Sequence, residues 1–171
     1  MVIILILKLF ILNDNTPADE NIIIQGGLSL RTRLDFDVSM LPDLSAIHKS
    51  ELILSYNSDK SYWGSLGVDT VIALRLFDEI KPDDHTVLPV LEWTANLVSG
   101  SNQYVFESIS SAVETWSRTP EKKGSVVLLA LPIEQEFRQA DRIVFYGNDA
   151  ENPDFRPKIK IIYSYIEQTD N

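Results

Sequence analysis

The sequence predicts an all-β protein, an antiparallel β-sandwich of jelly-roll type with about nine strands and one short helix. Short apolar segments recur along the chain with turn residues between them, which is typical of sandwiches and barrels. In the clearest segment, residues 28–38, apolar residues and a threonine alternate with polar residues, which indicates a strand with one buried face. Only residues 108–116 show the period of a helix.

The chain ends in a second clear strand pattern. Pro157 lacks a backbone N–H and therefore suits the residue that begins a strand. After it, one face of the predicted strand carries Ile159, Ile161, Tyr163 and Tyr165. We expect Arg156 to anchor the preceding loop and not to contact a ligand.

The remaining elements follow from the same patterns. Further strands are predicted at residues 22–24, 47–56, 68–76, 87–91, 104–106, 125–131 and 142–146. Pro89 makes the strand at 87–91 an irregular edge strand, and residues 92–102 are predicted to form a loop. The helix is expected to have Ser108 as its N-cap and to place Trp116 in the core.

Composition limits the function classes. A chain of 171 residues fits one domain, and residues 1–171 are predicted to form it. With 25 acidic and 15 basic residues the net charge is −10, which disfavours nucleic acid and anionic membranes as partners. The chain has no cysteine, so disulfides, thiolate catalysis and cysteine-ligated metals are excluded.

The first twelve residues, 1–12, are almost wholly apolar. They are too short for a membrane span, which needs about 20 residues, and they lack the basic start of a signal peptide. We predict a strand buried on both faces or an interface strand, through which the chain forms a homo-oligomer. In that second case the protein is a structural subunit of a surface fibre or coat.

Loop aromatic residues are the best candidates for ligand binding. Tyr62 and Trp63 lie on a polar loop at residues 57–67, and Trp93 is a weaker candidate. Sugars stack their C–H faces on such rings while nearby polar groups take the hydroxyls. The alternative is that these rings pack over an end of the sandwich or against another subunit.

Two other patterns are weak candidates for catalysis. Arg31, Arg33, Asp35 and Asp37 alternate along one strand, and a glycosidase needs a pair of carboxylates. Alternating charges on a solvated strand more commonly form a cross-strand ladder, so we predict that the protein is not an enzyme. The turn at residues 83–85 (DDH) is predicted to be solvated, and His48 has no catalytic partner in the sequence.

Several of these segments together resemble a known family. Residues 30–37 (LRTRLDFD), residues 40–42 (MLP) and the strand at 47–54 resemble the R-x-L-x-F-D-x-S-x-(I/L)-P … I-x-x-A-x-L-x-L opening of the DNRLRE, or disaggregatase-related, domains. The helix ending at Trp116, the strand at 124–131 and residues 156–163 (RPKIKIIY) are similar to the rest of that pattern. A family of Bacteroidota surface lipoproteins of unknown function is similar in layout.

The resemblance implies a secreted or cell-surface module, similar to carbohydrate-binding modules, whose partner is a polysaccharide or another surface protein. Residues 148–155 lack the family's Ser-Arg-Glu-type signature, so no binding residue is carried over. By analogy with such modules a structural calcium ion is allowed, with oxygen ligands at Asp149, Asn152 and Asp154. The alternative is an acidic surface loop without any cofactor.

Overall fold

A computed structural model describes residues 2–5, 8–11, 21–25, 30–62, 72–76, 89–130 and 142–165. These residues form eleven strands and one α-helix. The elements are β1 (Val2–Leu5), β2 (Lys8–Ile11), β3 (Ile22–Gln25), β4 (Thr32–Asp37), β5 (Ala46–Ser55), β6 (Ile72–Leu76), β7 (Leu91–Ala95), β8 (Gln103–Phe106), α1 (Ser110–Ser117), β9 (Lys123–Ala130), β10 (Arg142–Phe145) and β11 (Lys158–Ser164). Among these residues no helix has the length and apolarity to span a bilayer.

The strands form two antiparallel layers, which confirms the predicted sandwich. One layer has the strand order β1-β11-β5-β8 and the other has the order β2-β4-β9-β6-β7, while β10 and β3 form a short pair. The chain crosses from one layer to the other at most of its connections, so neighbouring strands such as β4 and β9 are distant in sequence. This is the connectivity expected of a jelly roll.

The short pair β10-β3 extends the first layer. β11 pairs with β5 as far as Ile53. Beyond that point β10 pairs with the same edge of β5 and of the residues that follow it. The Tyr146 N–H donates to the Ser55 carbonyl at 3.0 Å, and the Asn57 N–H donates to the Val144 carbonyl at 2.7 Å. β10 and β11 therefore lie along one line beside β5.

That line is interrupted by the segment between the two strands. Residues 146–157 leave the sheet after β10 and return to it at β11. β3 flanks β10 as β1 flanks β11, so the interruption has strands on both sides. This loop leaves the sheet between β10 and β11, and it forms one wall of the candidate site described below.

The core lies between the two layers and follows the predicted alternation. Its largest members include Leu34, Phe36, Leu52, Leu54, Tyr104, Phe106, Leu128, Phe145 and Ile161. Trp116 is only 3% exposed and stacks on Phe36 with 4.9 Å between ring centroids, which confirms its predicted place in the core. Trp116 therefore connects α1 to β4 and β9 in the second layer.

Three predictions of local structure are wrong. The apolar residues 1–12 do not form one strand, because β1 and β2 belong to different layers. Residues 92–95, expected at the start of a loop, belong to β7, which pairs with β6. The N-cap of α1 is Ile109 and not Ser108, whose φ is +61°.

Gly124 lies opposite Phe36 in the β4-β9 ladder, directly under the Trp116 ring. A Cβ added there would overlap the indole of Trp116, which is held in place by its stack on Phe36. Only glycine leaves room for the ring at this position.

We therefore expect Gly124→Ala to lower the free energy of unfolding by about 3 kcal/mol, because the buried ring must move. Denaturant unfolding measures this. Gly100→Ala is the control: its φ is +75° but no atom lies within 4 Å of an added Cβ, so only about 1 kcal/mol of backbone strain is expected. In a Trp116→Leu background the cost of Gly124→Ala should fall below about 1 kcal/mol, and equal costs in both backgrounds would contradict the steric explanation.

Candidate functional site

A polar depression of about 390 Å³ lies where β10 separates from β11. Its wall comes from Asn21 before β3, from Asn57 and Lys60 after β5, and from residues 146–155 between β10 and β11. Tyr146, Asp149, Glu151, Asn152 and Phe155 are the larger side chains of this last segment. The depression therefore combines amides, carboxylates, an ammonium group and aromatic rings.

The first wall is a single helical turn that begins at Asn57. The Asn57 side-chain oxygen Oδ1 accepts from the N–H groups of Asp59 at 3.1 Å and Lys60 at 3.2 Å. The Ser61 hydroxyl accepts from the Val144 N–H at 3.0 Å and so fastens the turn to β10. The start of the predicted polar loop at residues 57–67 is thus a fixed turn.

The second wall is a loop held by its own side chains. Asn152 Oδ1 accepts from the Asp154 N–H at 3.0 Å and begins a 3-10 helix at Pro153–Phe155. Phe155 stacks on Tyr146 with ring centroids 4.8 Å apart. Arg156 donates from Nε to the Ala150 carbonyl at 2.9 Å, so it anchors the loop as predicted.

The two asparagines present the same chemistry to the depression. The Oδ1 atom of each accepts backbone N–H groups, which fixes the orientation of the amide. No described residue accepts a hydrogen bond from Nδ2 of Asn57 or Asn152, so both NH₂ groups are available as donors. Asp149 and Glu151 make no hydrogen bond or ion pair with a described side chain and supply acceptors.

The three aromatic residues predicted to bind a ligand differ in exposure and contacts. Tyr62 is 63% exposed and pairs through its backbone with Arg142 at the start of β10. Trp63 lies outside the described residues. Trp93 packs against the core and donates from its indole N–H to the Ser108 carbonyl at 3.2 Å, which is a structural role and not that of an open stacking platform.

The predicted calcium ligands do not present a shared set of free oxygens. Asp149 borders the depression, but Asn152 Oδ1 caps the 3-10 helix and the Asp154 carboxylate pairs with the Lys158 ammonium at 3.3 Å. Within the described ranges, no group of three or more histidine, cysteine, aspartate or glutamate side chains is arranged to hold a metal ion.

The charged residues of β4 form a ladder on the outer face of the second layer. Arg33 Nε lies 2.7 Å from Asp35 Oδ1, and the Ser125 hydroxyl on β9 bonds both side chains. In the same layer Arg75 pairs with Glu92 across β6 and β7. Asp35 thus faces a cation and a hydroxyl, an arrangement that favours the ladder over a pair of catalytic carboxylates.

Tertiary contact gives His48 a partner that the sequence did not reveal. Its Nε2 lies 2.8 Å from the Ser164 hydroxyl across β5 and β11. Both side chains are exposed on a strand face, and no carboxylate of the described residues bonds the imidazole. The pair lacks the third group and the cleft of a hydrolase site. The Asp83, Asp84 and His85 turn lies outside the described residues.

Sequence patterns predicted Asp149 and Asn152 only as calcium ligands and did not predict the depression that they line. The Asn57 turn has a recognisable sequence signal, because an asparagine side chain can accept backbone N–H groups from residues two and three positions later and so favours a turn. Nothing in the local sequence indicates that this turn meets Tyr146 and Phe155, since that contact depends on the pairing of β10 with the end of β5.

No protein-family model and no curated protein matches this chain. The resemblance to the DNRLRE domains therefore stays a prediction.

Removing the Arg156 anchor should loosen the second wall. Arg156→Ala removes the Nε donor from the Ala150 carbonyl, so we expect amide exchange of residues 148–155 to be at least about tenfold faster. The free energy of unfolding should fall by only about 1 kcal/mol. Hydrogen–deuterium exchange by mass spectrometry measures the loop directly. Arg118→Ala, which breaks an exposed pair with Glu114, is the control, and loop exchange equal to wild type in Arg156→Ala would contradict the anchor.

Proposed function

We propose that this chain is a non-catalytic β-sandwich module that binds polysaccharide at the depression between the Asn57 turn and the loop at residues 146–157. The observation that supports it is the mixture of groups in one concave site: NH₂ donors from two asparagines, carboxylate acceptors and two aromatic rings. Carbohydrate hydroxyls both donate and accept, while the ring C–H faces pack on aromatic side chains. A saccharide matches all three groups.

Tyr62 extends this surface along β10. Paired residues of neighbouring strands point to the same face, so Tyr62 shares the outer face with Arg142 and Tyr146. Arg142 and Tyr146 are four positions apart in the sequence, a distance of about 13 Å along a strand. A chain of sugars, rather than one ring, would therefore reach from the depression to Tyr62.

Binding is favoured over hydrolysis by the setting of the carboxylates. Asp149 and Glu151 are exposed to solvent. A glycosidase needs one carboxyl group whose pKa is raised by a buried, apolar setting so that it can act as an acid at neutral pH. A polysaccharide partner also agrees with the cell-surface or extracellular location that the family resemblance implies.

A glycan array with matched variants tests the proposal. Wild type is expected to bind at least one polysaccharide, and the double variant Asp149→Ala/Glu151→Ala is expected to lose at least about tenfold in affinity because the acceptors are gone. Tyr62→Ala should weaken binding of long chains more than of short ones. Asp59→Ala and Tyr165→Ala are controls, because both residues are exposed and lie outside the depression. Wild type that binds no glycan contradicts the proposal.

A second candidate function is a structural subunit of a surface assembly. β1 and β2 are the outermost described strands of their layers, and an outer strand edge can pair with a strand of another copy. In that case light scattering should give a multiple of the monomer mass that rises with concentration. Deletion of residues 1–11 should return the protein to a monomer. A wild-type monomer at every concentration would contradict this function.

A further inference from the structure

Asn57 is one of two buried asparagines that line the depression, the other being Asn21. Asn57 is only 7% exposed, whereas Lys60, Asp149, Glu151 and Asn152 are exposed around it. Its Oδ1 accepts two backbone N–H groups, so the amide cannot turn around without losing both bonds. Its Nδ2 makes no hydrogen bond within the described residues and is not fully enclosed, so a ligand in the depression can reach it. Asn57 therefore offers an oriented amide donor to a ligand in the depression.

The ligand group that reaches Asn57 must accordingly carry an acceptor oxygen. A ligand that fills the depression displaces solvent from this donor, so a ligand that supplies an acceptor oxygen gains affinity and one that leaves Nδ2 unpaired is rejected. An amino sugar in its ammonium form offers only donors at that group, and it would leave Nδ2 unpaired.

The opposite wall limits the choice further. Asp149 and Glu151 bring two negative charges against the single positive charge of Lys60. A uronate would satisfy Asn57 and Lys60 but would be repelled by both carboxylates. These carboxylates instead accept from an N–H or O–H group. Tyr146 and Phe155, stacked on each other beside them, offer an apolar surface for a methyl group.

We propose, on the basis of the saccharide-binding function above, that the depression selects sugars that carry an acetamido group, with Asn57 as the specificity-determining residue. The carbonyl of the acetamido group accepts from Asn57 Nδ2, and the N–H of the group donates to the carboxylates of Asp149 and Glu151. The methyl group packs on the Tyr146 and Phe155 rings. A neutral 2-hydroxy sugar supplies fewer of these contacts.

Calorimetric titration with sugars that differ only at carbon 2 tests this. The methyl glycosides of N-acetylglucosamine and N-acetylgalactosamine are each compared with their 2-hydroxy and 2-amino analogues. In at least one of the two series the acetamido sugar should bind at least about tenfold tighter than both analogues.

Asn57→Asp is the decisive variant. An aspartate oxygen can still accept the Asp59 and Lys60 N–H groups, so the turn is kept while the donor becomes an acceptor. Acetamido binding should fall by at least about tenfold. Asn152→Asp keeps the exposed cap of the 3-10 helix and should also weaken binding, which guards against a folding defect in the first variant. Asp59→Asn, the reverse exchange at an exposed position of the same turn, is the control and should bind as wild type does.

The outcomes separate the two proposals. Failure of wild type to bind any glycan overturns the saccharide-binding function and this inference with it. Equal affinity for acetamido and 2-hydroxy sugars leaves the binding function intact and overturns the inference. Undiminished acetamido binding by Asn57→Asp overturns the role of Asn57.

Discussion

The packing of Trp116 on Phe36 and Gly124 is the constraint on which the sandwich depends most. The indole lies against the β4-β9 ladder at the one position without a side chain, so helix and second layer are locked together. At the other end of the helix, the Ile109 N–H donates to the Ser50 carbonyl of β5 at 3.1 Å. The helix thus contacts both layers of the sandwich.

A second constraint acts at the edge of the first layer. β10 and β11 lie end to end beside β5, and β3 and β1 lie end to end on their other side. Each of these two strand positions is therefore interrupted where the chain leaves the sheet. Backbone groups at the break need partners. Ser61, Asn57 and Arg156 supply them, and their hydrogen bonds hold the two walls of the depression in place. The proposed binding site is therefore a consequence of how the sheet is interrupted.

The same side chains explain why the depression is polar. Asn57 and Asn152 each use the amide oxygen for the fold and leave the amide nitrogen without a partner among the described residues. Structural and proposed binding roles are divided between two atoms of one side chain. This division permits an exchange of asparagine for aspartate that changes recognition while keeping the turn, because oxygen remains in the structural position.

Local patterns in the sequence determined the features that lie within a single strand, helix or loop. Alternation identified β4 and β11, the helical period placed Trp116 in the core, and Arg156 was recognised as an anchor of its loop. The sequence could not show that an unbroken apolar run divides into β1 and β2, because such a run contains no period that marks a change of layer. The short edge strand β7 was missed since Glu92 and Thr94 make it as polar as a loop. Only the tertiary structure brings Asn57 to the loop at residues 146–157, and His48 to Ser164, because these contacts depend on strand register between segments about a hundred residues apart.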